Sequence, residues 1–249
     1  MKTRLLTFLA ALTLTLAAYA TTTPETLNYK VIYKWGLVQK QAGRATFTVN
    51  QRGQNCHAKL AARSEPWADH FYRIRDTLIT VFDAETRLPS SYQRIAHEDG
   101  SFAHDILSFT KAGNRTHAKC TRIRRGKKET QNRSTEINLQ AEGDAVDLLS
   151  SFYYLRGLKF HGMKAGDTKT ISIFSGKRKE TLTITYGGFE SLKIDKRKYY
   201  TYKVTFRFTS EGRKKTSEPI EAWIATDTRI PVKLVGQLKI GKIQCIYQP

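Results

Sequence analysis

The sequence predicts a mainly β protein: a strongly curved antiparallel sheet, or an incomplete β-barrel, of about a dozen strands around one central α-helix. Three observations carry this expectation. Short runs of aromatic and β-branched residues recur along almost the whole chain, each ended by Gly, Asn or Asp. One stretch, Asp144 to Gly157, has helical rather than strand spacing. A turn pattern also recurs on either side of that stretch, as VFDAETRLP from Val81 to Pro89 and IATDTRIP from Ile224 to Pro231. In each copy an acidic residue initiates a hairpin, and Arg, an aliphatic residue and Pro open the next strand.

The first residues form a unit of their own. Lys2 and Arg4 precede an apolar run that ends in Ala18-Tyr19-Ala20, the pattern of a secretory signal peptide cleaved after Ala20. The expected mature chain, 21–249, is a single all-β domain. It has two similar halves, 27–139 and 166–248, flanking a helix at 144–157. Export of this kind implies the periplasm of a bacterium, and no later segment is apolar enough for a stable membrane span. The formal charge is +20, and it stays strongly positive without Lys2 and Arg4. An exported basic protein meets lipid head groups and acidic glycans rather than nucleic acid. The basic residues fall in clusters at expected turns, Arg122–Lys128, Lys177–Lys179, Lys196–Lys198 and Arg213–Lys215, which also fits simple solvation of strand ends.

Taken in order, Leu27–Trp35, Arg44–Asn50 and Cys56–Arg63 read as strands, with Gly36 and Gly43 bracketing a connection. Pro66–Arg73 is a helical turn or loop whose aromatics, Trp67 and Phe71 among them, would pack over an opening. Strand character resumes at Asp76–Asp83, Ser90–His97, Phe102–Thr110, Thr116–Arg124 and Glu129–Leu139. In the helix, Asp144 is the expected N-cap, Asp147 adds an acidic first turn, and Gly157 is the expected C-cap. Val146, Leu149, Phe152 or Tyr153, and Arg156 mark one face, which Leu148 and Leu155 widen. A helix with so many aromatics must bury a face. After it come Thr168–Phe174, Glu180–Tyr186, Phe189–Asp195, Tyr199–Thr209, Ser217–Ala225, Pro231–Ile240 and Lys242–Tyr247, with Gly187-Gly188 read as a turn.

No catalytic constellation is present: no Gly-x-Ser-x-Gly, no paired-histidine motif, no phosphate-cradling Gly loop. The six histidines are scattered. His97 and His104 flank one turn with Asp99 and Asp105 near, which suits a solvated hairpin tip better than a metal site. The three cysteines, Cys56, Cys120 and Cys245, match no metal or redox spacing and read as buried structural residues. The expectation is therefore neither enzyme nor cofactor or metal protein. Asp147, Tyr153, Tyr154 and Arg156 are the candidate ligand-binding residues of the helix. They would line a cavity mouth, with Arg156 offering a fork to phosphate or carboxylate. Alternatively, Arg156 pairs with an acidic strand residue and the tyrosines plug the core.

Three stretches together resemble a known family: Tyr29–Gly36 with Gly43, Asp147–Arg156, and Trp223–Val232. The set is similar to the bacterial envelope family called domain of unknown function 3108. By fold-level analogy, the layout is similar to periplasmic lipoprotein carriers, where an incomplete barrel wraps an apolar cavity around a helix. A curved sheet with one helix makes a concave apolar site, and basic rims suit an amphipathic anion, so the expectation is an exported protein that binds an apolar or amphipathic anionic envelope molecule, lipid-like, in the concavity of its sheet. Trp67, Phe71 and Trp223 then join the candidate ligand-binding residues. The alternatives are a non-catalytic structural module that binds an envelope protein partner, with a filled core, or a glycan-directed enzyme using two of Asp144, Asp147 and Asp227.

Overall fold

The structure, a computed structural model, describes residues 24–211 and 217–249. The expected leader and the basic run Arg213–Lys215 lie outside the described residues. The first half contains β1 (Glu25–Trp35), β2 (Val38–Arg52), β3 (Asn55–Ser64), the single-turn helix α1 (Pro66–Asp69), β4 (Ile74–Asp83), β5 (Pro89–Glu98), β6 (Ser101–Ala112), β7 (Arg115–Arg125) and β8 (Arg133–Glu142). The second contains β9 (Ala145–Val146), α2 (Leu148–Gly157), β10 (Thr168–Phe174), β11 (Lys179–Ile194), β12 (Arg197–Ser210), β13 (Ile220–Ala225), β14 (Pro231–Gln237) and β15 (Lys242–Gln248).

All strands join one 15-stranded sheet in the order β8-β7-β6-β5-β4-β3-β2-β1-β15-β14-β13-β12-β11-β10-β9. The described chain therefore starts at the middle of the sheet, meanders to one edge, and returns from the other edge to pair β15 with β1. Every pairing is antiparallel except β9 with β10. Laid flat, strands about 4.8 Å apart would place the two edges roughly 65 Å from each other. Yet only Gly143 and Asp144 separate β8 from β9, a step that spans at most about 11 Å. The sheet must curl until its edges meet, giving a nearly closed barrel. Gly143 is tied to β7, and aromatic side chains meet across the seam. Thr116 Oγ1 donates to Gly143 O at 2.7 Å, Gly143 N donates to Asn114 O at 2.6 Å, and Phe109 of β6 stacks on Phe174 of β10 at 5.8 Å.

Several sequence expectations are corrected. Glu180–Tyr186 and Phe189–Asp195 are one strand, β11, because Gly187-Gly188 forms a bulge rather than a turn: the register with β12 shifts between Tyr186 and Gly188. Gly43 lies inside β2, where a Cβ would meet Arg63 O at 2.6 Å. Within the Arg122–Lys128 cluster, Arg122 and Arg124 do not solvate a turn. Both fold back onto buried Asp105, Arg122 Nε at 2.9 Å and Arg124 Nη2 at 2.6 Å from Oδ1.

The helix also starts later than expected. Asp144 caps nothing and pairs with Lys111, while Ala145–Val146 extend as β9. Asp147 is the N-cap: Leu149 N and Ser150 N donate to its Oδ1 at 2.7 and 2.8 Å, and its own N–H donates to Ser150 Oγ at 2.9 Å. Gly157 is the last helical residue and Leu158 the C-cap. Both repeated hairpins lie at the C-terminal end, and the second clasps it. In each, matching bonds close the loop: Asp83 N to Leu88 O at 3.0 Å and Ala225 N to Ile230 O at 2.9 Å. Arg87 and Arg229 hold equivalent left-handed positions, with φ of 64° and 60°. Arg229 Nε donates to Arg156 O and Arg156 Nε to Arg229 O, both at 3.1 Å, and Arg229 also reaches Leu158 O. A Cβ on Gly157 would lie 3.8 Å from Arg87. Glycine is the natural residue for such backbone; arginine is there for what its side chain does to the helix end.

Two outcomes follow. Arg229→Gly suits the backbone yet removes the clasp, so it should lower stability by about 1–2 kcal/mol in denaturant unfolding; a gain would show that only turn geometry matters. Asp147 is fully buried, and burial pushes its carboxyl from 3.8 up to about 6, against hydrogen bonds from Ser150, Thr80 and Leu149. Thr80 Oγ1 donates to Asp147 Oδ2 at 2.7 Å and lies 3.1 Å from Ser91 O, so it can turn to Ser91 O and accept from a protonated Asp147. A folded pKa above the unfolded one means the folded state binds the proton more tightly. Stability should rise by up to about 3 kcal/mol as pH falls from about 6 toward 4. Asp147→Asn keeps the cap and should lack this rise; parallel melting curves for the two proteins across pH 4–7 would contradict the account.

Candidate functional site

Strand alternation sends one set of side chains inward, and α2 lies among them. Its faces do different things. Leu149 and Tyr153 pack with Phe82, Tyr92, Leu107 and Cys120 of the first half. Leu155 packs with Ile173, Ile184, Val204 and Ile224 of the second. Phe152 stacks on Phe47 of β2 at 4.5 Å. The helix is apolar on several sides, as a largely buried helix must be, with Arg156 turned to Glu25. It plugs the end of the barrel that carries the β4–β5 and β13–β14 hairpins.

Toward the other end the interior is not filled. A cavity of about 430 Å³ is floored by Leu148, Ser151, Phe152 and Leu155 of α2. Its walls are Phe47, Leu60 and Leu78 from the first half, and Leu182, Phe206, Phe208 and Leu234 with Ile243 and Cys245 from the second. Ile243 and Gly236 mark its outer reach, next to the β14–β15 hairpin. The lining is hydrocarbon almost throughout. Ser151 satisfies its hydroxyl on Leu148 O at 2.8 Å, and burial pushes the Cys245 thiol up to about 11, so it stays protonated. No carboxylate, histidine, lysine or arginine lines this wall. It can exclude water from an apolar group. Among the described residues no cluster of His, Cys, Asp and Glu could hold a metal ion. Asp144, Asp147 and Asp227 do not converge: Asp147 caps the helix start, whereas the Asp227 loop clasps its other end.

None of the seven expected ligand-binding residues lines this cavity. Asp147 is no mouth residue; it is buried because the helix N-terminus needs its carboxylate. Tyr153 stacks on Phe82 at 4.9 Å, its buried hydroxyl without a partner among the described residues. Tyr154 is half-buried against the second-half core. Arg156 is taken up by Glu25, at 2.5 and 2.8 Å, so its fork is occupied. Tyr153 and Arg156 do come together with Arg87, Arg229 and Glu25 around a small polar recess at the clasped helix end. Trp67 and Phe71 sit on the opposite rim, Trp67 Nε1 donating to Gln41 O at 2.6 Å and Phe71 exposed. Trp223 alternates with inward Ala222 and Ile224, so it faces outward, its ring between Lys203 at 5.1 Å and Lys233 at 4.9 Å. The cavity-forming residues that sequence reading passed over are plain aliphatic and phenyl side chains. Their one signal was alternation within strands, which every core residue shares. The three cysteines are free: Cys56 and Cys120 are buried, and Cys245 is in the cavity wall.

No helix among the described residues is long and apolar enough to cross a membrane. No curated protein matches the sequence. A solved structure is similar in fold: the crystal structure of a beta-barrel-like protein of domain of unknown function DUF1849 from Brucella abortus. It shares 11% identity, with a TM-score of 0.60 over 90% of this chain and 95% of that one. The likeness is one of fold. At the level of sequence, a family model matches residues 28–245, the whole barrel from β1 to β15, and the chain belongs to the family described as protein of unknown function, DUF3108.

Proposed function

We propose that this protein is a binding protein of the bacterial envelope that holds the hydrocarbon part of a lipid-like, amphipathic molecule between α2 and the sheet. The observation that carries the reading is the unfilled apolar cavity of about 430 Å³, which falls within the roughly 300–1,000 Å³ of small-molecule sites. Well-packed interiors leave few voids larger than a water, and a hydrocarbon-lined space has no polar partners to hold water. An acyl chain would supply the contacts the wall lacks. The reading is one of binding rather than catalysis: the cavity wall offers no acid, base or nucleophile in a reactive state. The leader-like first residues support an exported, periplasmic setting, where such molecules are met. The basic surface favours an anionic head group outside the cavity.

Gly236 gives the direct test. It lines the cavity, its backbone is not left-handed, and a Cβ there would find only Ile220 Cγ1 at 4.0 Å. Gly236→Phe should therefore fill the space from within without disturbing β14. In titrations with a fluorescent long-chain fatty acid, the natural protein should bind, and Gly236→Phe should bind at least about tenfold more weakly with its thermal midpoint kept, one lost chain contact being worth 1.5–3 kcal/mol. Equal binding by both proteins, or none by the natural one, would sink the proposal.

A further inference from the structure

The rim of the barrel away from the clasp has an unusual surface. Hairpin tips are normally polar or built from turn residues. Here the β1–β2 tip exposes Trp35 (58%), Leu37 and Val38, and the β14–β15 tip exposes Leu238 and Ile240 (62%). Single exposed apolar residues are ordinary, but a group of them on adjoining tips marks a contact surface. The two tips adjoin because β1 pairs with β15 up to Lys34 opposite Lys242. They are also fixed to each other: Tyr33 Oη donates to Ile240 O at 3.3 Å. Gly241, at φ 74°, brings its Cα so close that a Cβ would meet Lys34 O at 2.5 Å and Trp35 Cβ at 3.1 Å. The patch is thus held in shape before any partner arrives.

Its charge selects the partner. The tip segments 34–40 and 237–242 contain Lys34, Lys40, Lys239 and Lys242 and no acidic residue. Apolar side chains ringed by lysines are the composition of a surface that enters the interface of an anionic bilayer, hydrocarbon below and ammonium groups at the phosphates. A second copy of this chain fits less well, since a self-complementary contact would set these lysines against each other. Position agrees with composition. Ile243 and Gly236, the outer residues of the cavity, lie within a few residues of these tips.

We propose that the β1–β2 and β14–β15 tips dock onto bilayers containing anionic lipid, turning the mouth of the cavity toward the membrane. The purpose of this orientation rests on the cavity being a lipid site; the docking itself does not. The test is flotation of residues 21–249 with vesicles of phosphatidylcholine alone and of phosphatidylcholine with phosphatidylglycerol, at low and high salt, reading bound protein and tryptophan emission in the natural protein and in Trp35→Phe. Binding should require phosphatidylglycerol, weaken with salt, and shift the emission to the blue in the natural protein but not in Trp35→Phe. The pair Leu37→Ser and Ile240→Ser should weaken binding by at least about tenfold with unfolding unchanged. Lys239→Glu with Lys242→Glu should abolish it. Gly236→Phe should float like the natural protein. Loss of flotation in Gly236→Phe would mean capture through the cavity and would overturn docking by the tips. So would indifference to the tip variants, no flotation at low salt, or a dimer in solution that the Leu37→Ser and Ile240→Ser pair dissolves. A natural protein that floats yet binds no fatty acid would refute the cavity reading and leave docking standing.

Discussion

Gly143 and Asp144 impose the constraint on which the rest depends. They tie the last strand of the first half to the first strand of the second, so a very wide sheet is forced to bring its two edges within about 11 Å. Closure creates an inside. It also fixes what must fill that inside, because α2 follows at once, after β9, and has nowhere to go but the barrel's interior. Asp147 then serves as more than a cap. Its bond to Thr80 of β4 fastens the start of the helix to the opposite half of the sheet, while Arg229 holds its other end from the second repeated hairpin.

Anchored at both ends, the helix cannot slide to optimise packing along the whole barrel. It fills the clasped end, where Phe82, Tyr92 and Tyr153 are buried, and stops short of the other. A free helix would move to close an apolar void, since unfilled hydrocarbon space forfeits dispersion contacts. The space persists beside a pinned helix, and the binding proposal rests on that persistence. The same division sets the two rims apart. One is locked by arginine–carbonyl bonds; the other carries lysines and exposed apolar tips.

Much of the architecture is legible in the sequence, and for physical reasons. Alternation marks strands because it reports which face is buried. The Arg-aliphatic-Pro hairpins announce a repeated local structure, which the structure displays as matching bonds and matching left-handed arginines. Local readings fail where tertiary context decides. Asp144 and Asp147 are both good caps in isolation; the parallel pairing of Ala145–Val146 with β10 selects the second. Gly187-Gly188 reads as a turn, but continuous pairing with β12 makes it a bulge. The site is least legible of all. Sequence reading favours conspicuous residues, and here Arg156, Tyr153 and Trp223 are engaged in holding the fold. The cavity is bounded by leucines and phenylalanines whose strands lie far apart in the chain, and an empty volume leaves no mark on the residues around it.

The central claim is that the space above the helix is occupied by a lipid-like molecule when the protein works. Native mass spectrometry on protein secreted to the periplasm of a bacterial host and purified without detergent tests this most directly. The account predicts a bound mass of an acyl-chain lipid on the natural protein, released on unfolding. A spectrum of bare protein alone, together with no rise in melting temperature on adding lipids, would contradict it.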